Sequence, residues 1–228
     1  MTAIAPATLD FLRDLAANND RDWFAANKAR YEAARENLVS FSQALIDGLR
    51  KTDMLDTLDG KKSLFRIYRD TRFSKNKTPY KINLGGSYTR TGKLLRGGYY
   101  FSIQPGGESV IGGGFYGPER DDLLRIRQEI ERDAAPLRKI IGAKDFKKHF
   151  STLAGDTLKT APKGFDRDHP DIDLLRYKNF YATRTFSDAE VTAENFGKEA
   201  LSSYIAIRPF FDYMSEVLTT DANGEVIV

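Results

Sequence analysis

The 228-residue sequence has no cysteine and only two histidines, His149 and His169. Without thiols there can be no disulfide, no thiolate nucleophile and no cysteine-ligated zinc or iron–sulfur centre. No run of about 18 apolar residues occurs, so no membrane-spanning helix is expected. The N-terminal string MTAIAPATLDFL lacks the basic start and apolar run of a secretion signal, and a cytoplasmic setting is the expectation. G-x-S-x-G, H-E-x-x-H and Walker lysine motifs are all missing, which leaves nucleophilic catalysis without a candidate. Internal repeats and Pro/Ser-rich linkers are missing too, and a single α+β domain over residues 1–228 is expected. One further scarcity is local. From Lys61 to Arg96 there are eleven Lys or Arg and one acid, Asp70, a balance of +10 in a chain whose total is +3.

Hydrophobic spacing sets the expected elements. Leu9, Phe11, Leu12 and Leu15 fit a short helix capped by Thr8 and ended by Asn18 and Asn19. Trp23, Phe24, Tyr31, Leu38, Phe41, Leu45 and Leu49 recur every three or four residues, as one face of a longer helix capped by Asp20. The period then changes. Residues 64–68, 82–89, 98–104 and 109–113 are short, β-prone and separated by Thr91-Gly92-Lys93 and Pro105-Gly106-Gly107. Such short connections join antiparallel neighbours, so the expectation is a β-meander of about four strands. Helical patterns follow from Pro118, Pro136 and Asp145. A later strand within Leu174–Phe186 joins the sheet, and a last helix capped by Thr192 carries Pro209, which should kink it. The fold class is therefore α+β: a largely antiparallel central sheet flanked by N- and C-terminal helices.

Phe65–Lys81, FRIYRDTRFSKNKTPYK, alternates aromatic and basic residues. If extended, it puts Phe65, Ile67 and Phe73 on one side and Arg66, Tyr68 and Asp70 on the other. Arg66, Arg69, Arg72, Lys75, Lys77 and Lys81 combine guanidinium forks with mobile ammonium groups, which suit phosphate or carboxylate oxygens. Tyr68, Tyr80 and Tyr99 are candidates for stacking or hydrogen bonding, Asp70 for orienting an arginine, and Lys178 and Arg184 for joining from the later strand. Two plainer readings compete: a solvated sheet edge guarded by lysines, or pairing with acidic helices elsewhere.

Three further features invite chemistry. Gly112, Gly114 and Gly117 match G-x-G-x-x-G, but the dinucleotide fingerprint needs a parallel βαβ unit, and glycines that turn a corner fit better after a meander. His149 follows two lysines in a helical pattern and reads as a surface residue. Asp168, His169 and Asp171 lie in DRDHPDID, a grouping that could ligate a divalent metal, although capping of a helix begun by Pro170 explains much of it. No cofactor is indicated.

FRIYRDTRFSKNKTPYK, GGYYFSIQPG with GGGFYGP behind it, and PKGFDRDHPDIDLLRYK together resemble the conserved hypothetical proteins of bacteria and fungi grouped as domain of unknown function 2461. The similarity covers about Leu9 to Leu218. It implies one domain in a cytoplasmic setting and transfers no catalytic residues, because the family has no established activity. Where its members carry an acid in the SKxKTPYK loop this chain has Asn76, which removes a carboxylate a mechanism there would need.

The function expected from these residues is binding of a phosphorylated or other anionic ligand, a small molecule or nucleic acid, at the basic segment. Its alternatives are a metal-assisted phosphoryl-transfer or hydrolytic enzyme built on Asp168, His169 and Asp171, and a scaffold docking an acidic protein partner.

Overall fold

The structure is a computed structural model in which residues 3–221 and 223–227 are described. Its elements, in order, are α1 (Pro6–Ala17), α2 (Arg21–Ala26), α3 (Lys28–Leu49), α4 (Gly60–Ser63), β1 (Leu84–Thr89), β2 (Gly98–Ile103), β3 (Ser109–Phe115), α5 (Arg120–Arg132), α6 (Ala135–Gly142), α7 (Lys144–Phe150), α8 (Ile172–Leu175), β4 (Phe180–Phe186), α9 (Asp188–Thr192) and α10 (Phe196–Thr219). The strands form one antiparallel sheet in the order β1-β2-β3-β4, so a three-strand meander is extended by the late strand, as the α+β expectation required. Among the described residues no helix is long and apolar enough to cross a membrane.

Several local expectations change. Residues 64–68 are not a strand: they make only the isolated antiparallel bridges Leu64↔Gly86 and Tyr68↔Tyr80. The Phe65 N–H bonds the Gly85 carbonyl at 2.9 Å, and the Lys81 N–H bonds the Ile67 carbonyl at 2.8 Å. One residue thus separates these pairs on the outgoing side and three, Ile82 to Leu84, on the return. This bulge interrupts the ladder and delays β1 to Leu84. The helix expected across Trp23–Leu49 breaks at Asn27, whose side-chain amide donates to the Trp23 carbonyl at 2.9 Å, competing with the helical ladder. Thr8 lies inside α1, which starts at Pro6, and gives its hydroxyl to Asn37 at 2.9 Å. Thr192 ends α9, which Ser187 and Glu190 open as a capping box, and α10 continues through Pro209.

The chain divides into two compact units. The first comprises Met1–Tyr88, Tyr100–Ile111 and Thr185–Ser202; the second Thr89–Tyr99, Gly112–Arg184 and Ser203–Val228. In the first unit the apolar face of α3 does what its spacing dictates: Phe41 stacks on Phe196 with ring centres 5.1 Å apart and meets Phe101 edge-on at 5.9 Å. The Ser42 hydroxyl joins Ser63 at 2.6 Å and Tyr88 at 3.0 Å, and burial pushes the Tyr88 hydroxyl pKa up.

In the second unit Tyr99 meets Tyr204 and Phe211 edge-on at 5.0 and 5.1 Å. Arg90, only 1% exposed, is held by Asp212 and lies 5.8 Å from the Phe211 ring centre. His149 is also buried there, against the surface placement expected for it; the Phe146 and Phe150 side of amphipathic α7 faces inward and carries His149 with it, within 3.1 Å of Ser203. The glycines of the G-x-G-x-x-G match serve the sheet. A Cβ on Gly112 would fall 2.1 Å from the Ala182 carbonyl, and Gly117 turns with φ +60° while its N–H meets Asn179 Oδ1 at 2.7 Å.

Removing one partner of a buried ion pair strands the other. Asp212→Ala should therefore cost about 2 kcal/mol, below the usual 3–5 kcal/mol because Asp212 itself is half exposed. Urea denaturation checks this, and adding Arg90→Met should restore part of the loss.

Candidate functional site

The basic segment of the first unit is a ribbon. Its outgoing arm, 64–69, runs antiparallel to its return arm, 79–86, and the Arg69 N–H closes the last rung on the Pro79 carbonyl at 2.9 Å. Residues 70–78 form the tip.

Four contacts shape that tip. Asp70 takes two hydrogen bonds from the Arg72 guanidinium, 3.0 and 2.7 Å, and one from the Arg72 backbone at 3.2 Å. This arginine holds the Asp70 carboxyl below its usual pKa, aided by the charge of Arg66. Lys77 Nζ reaches back to the Thr71 carbonyl at 2.9 Å. Asn76 Oδ1 accepts from both the N–H and the hydroxyl of Thr78 at 2.9 Å, an Asx turn, so Asn76 has a local structural role. Arg69 donates to the Thr78 hydroxyl and carbonyl.

The ribbon is fastened to the turn between α1 and α2. Asn19 Nδ2 donates to the Tyr80 carbonyl at 3.0 Å, and the Tyr80 N–H returns a bond to Asn19 Oδ1 at 3.1 Å. Beside this clasp the Tyr80 ring stacks on Phe24 with centres 4.0 Å apart and planes 16° from parallel. Tyr31 and Phe11 extend the cluster, 5.1 and 6.4 Å from Phe24. Burial pushes up the hydroxyl pKa of Tyr80, and Tyr68 adds to the shift. Ile67 is buried, whereas Phe65 is 44% exposed, Tyr68 60% and Phe73 96%. The one-sided arrangement of Phe65, Ile67 and Phe73 therefore does not form, since the two-residue period holds only in an unbroken strand.

The charge sorts itself between the units. Eight of the eleven cations of 61–96 lie in the first unit, where Asp70 is their only acid in that stretch. Arg90, Lys93 and Arg96 lie in the second unit, where Arg90 binds Asp212 and Arg96 binds Asp122. Pairing with acidic helices thus describes those two arginines. Arg66 and Lys75 are exposed and make no side-chain hydrogen bond or ion pair among the described residues.

Of the residues singled out by sequence, Arg66, Tyr68, Arg69, Asp70, Arg72, Lys75, Lys77, Tyr80 and Lys81 belong to the ribbon. Tyr80 is buried and serves it as an anchor; Lys81 sits 5.5 Å over the Phe65 ring. Tyr99, Lys178 and Arg184 belong to the second unit and have partners there. Tyr99 packs in the core described above, Lys178 lies 3.8 Å from Asp156, and Arg184 lies 3.1 Å from His149 Nδ1. Asn19 and Phe24 were legible only as a helix end and a packing face, because the partner that gives them their role is sixty residues away in sequence.

Asp168, His169 and Asp171 are also in the second unit, on a loop that Arg138 organises. Arg138 binds Asp171 at 2.5 Å and Asp173 at 2.6 Å. His169 Nδ1 accepts the Asp171 N–H at 3.1 Å, which leaves its protonated Nε2 facing the Glu131 carbonyl at 3.3 Å. Asp168 is exposed. Both imidazole nitrogens and the Asp171 carboxylate are thus engaged, and among the described residues no group of three or more His, Asp or Glu is arranged to hold a metal ion. The acids do not cap α8 either: Asp171 stands at its N-cap without a side-chain capping bond to the helix backbone.

Fold and site together define an α+β protein with a clasped basic ribbon. The chain belongs to the family of conserved hypothetical proteins called domain of unknown function 2461 (DUF2461), whose family model matches residues 7–213. No curated protein and no solved structure matches it.

Asn19→Ala removes both bonds of the clasp and leaves Tyr80's backbone groups to water. Hydrogen exchange at the Tyr80 and Lys81 amides should accelerate about tenfold, the equivalent of about 1.4 kcal/mol, with little change at α10. Phe24→Ala should cost about 3 kcal/mol of global stability.

Proposed function

We propose that the protein binds a phosphate-bearing anionic ligand on the first unit's ribbon. The observation that carries this reading is the charge that remains once local pairing is counted: Asp70 is spent on Arg72, and Arg66 and Lys75 stand in solvent with no side-chain hydrogen bond or ion pair among the described residues. Arg66 offers a planar fork suited to two oxygens of one phosphate; Lys75 and Lys77 offer compact charges on mobile stems. Solvated lysines that merely guard a sheet edge need a ladder edge to guard. Here the ladder is already interrupted by the Ile82–Leu84 bulge and the cations extend into the tip beyond it.

The ribbon is open, so several phosphates in a row suit it better than one enclosed group. Inorganic polyphosphate is the direct probe. At about a hundredfold excess over Kd it should stabilise the native state by about 2.7 kcal/mol, raising Tm by about 5–10 °C. The variant Arg66→Gln/Lys75→Gln/Lys77→Gln should lose that response while keeping its own Tm. Asp70→Asn removes the ribbon's one negative charge and releases Arg72, and should tighten binding about threefold at low salt. An unchanged melt in polyphosphate at low salt overturns the reading.

A further inference from the structure

We infer that the ligand class the ribbon fits is single-stranded nucleic acid, with phosphates on its cations and bases on its exposed aromatic rings. This rests on the anion-binding reading above and names the chemistry that reading leaves open. Cations alone would suit any polyanion; what distinguishes this surface is the aromatic set between them. Phe65, Tyr68 and Phe73 all reach solvent, Phe73 almost completely. Two of them already carry a cation near the ring: Lys81 lies 5.5 Å from the Phe65 centre and Arg72 5.8 Å from the Phe73 centre. That pairing of a π-face with a neighbouring charge is what a nucleotide needs, since its base and its phosphate must be met side by side.

The ribbon is also backed against movement. Tyr68 lies 5.4 Å from Tyr80 and 6.5 Å from Phe24, so one of the platforms is part of the clasped cluster and is ordered before a base arrives. Placement favours a strand over two other polyanions. Phe65 pairs with Gly85 of β1 at the base of the ribbon, whereas Phe73 stands at its tip. A bilayer engages apolar side chains only about 5–10 Å deep, so an anionic membrane would take Phe73 at the tip and leave Phe65 unused. A duplex keeps its base faces stacked internally and offers the aromatic rings nothing.

The test is fluorescence anisotropy of a labelled oligothymidylate of about 12 nucleotides with the full chain. Parallel arms use a duplex of the same length, inorganic polyphosphate and phosphatidylserine vesicles. Phe73 is exposed, so Phe73→Ala leaves Tm unchanged; it should weaken the oligonucleotide about tenfold and leave polyphosphate binding as it was. Lys75→Ala should instead reduce the salt slope for the oligonucleotide by about 0.7. If Phe73→Ala has no effect on the oligonucleotide, or the duplex binds as well as the single strand, the inference falls while the anion reading stands. Binding to vesicles but not to the oligonucleotide overturns it in favour of a membrane surface. Binding to neither oligonucleotide nor polyphosphate overturns both.

Discussion

Two hydrogen bonds between the Asn19 side chain and the backbone of Tyr80, set against the Tyr80–Phe24 stack, are the constraint on which the basic ribbon depends. Like charges crowded onto one short stretch repel one another, and a ribbon with an interrupted ladder has few backbone bonds to oppose that repulsion. The clasp resists it because it fastens the return arm to a turn whose flanking helices are locked into the first unit's core through Phe11, Phe24 and Tyr31. A buried aromatic cluster thus supports an exposed basic one, and the energy that holds the cations together is hydrophobic.

The arginines of the same sequence stretch divide between two physical uses. Arg90 is almost wholly buried and Arg96 partly so, each taken up by an aspartate on a helix of its own unit, where their role is to satisfy and orient packed elements. Arg66 and Lys75 sit in water and have no such role. Sequence alone gives these residues the same weight, which is why the local balance of +10 overstates the charge available at any one surface.

Fold class was readable because it rests on periodicity. The helical face of α3, the alternating strands and the late strand beside β3 each follow from spacing that neighbours in sequence supply. What escaped was set by partners distant in the chain. The bulge at Ile82–Leu84 depends on where Phe65 and Ile67 find their carbonyls, and it turned an expected strand into two bridges. His149 followed the inward face of α7 although its neighbours are lysines. The aspartates near His169 looked like ligands or caps until Arg138, some thirty residues earlier, claimed two of them. At the ribbon, composition set the stretch apart by its charge, but neither Asn19 nor Phe24 carried any mark of belonging to it.

None of residues 70–78 is buried, and the rungs and clasp that hold the ribbon lie below them. The tip is therefore uncoupled from the folding of the rest. Residues there can be exchanged, inserted or deleted at little thermodynamic cost, because no core contact registers the change. The tip is thus the part of the ribbon that evolution, or a protein engineer, can rewrite most freely, with Tyr80 and Asn19 acting as the fixed socket into which different tips can be fitted.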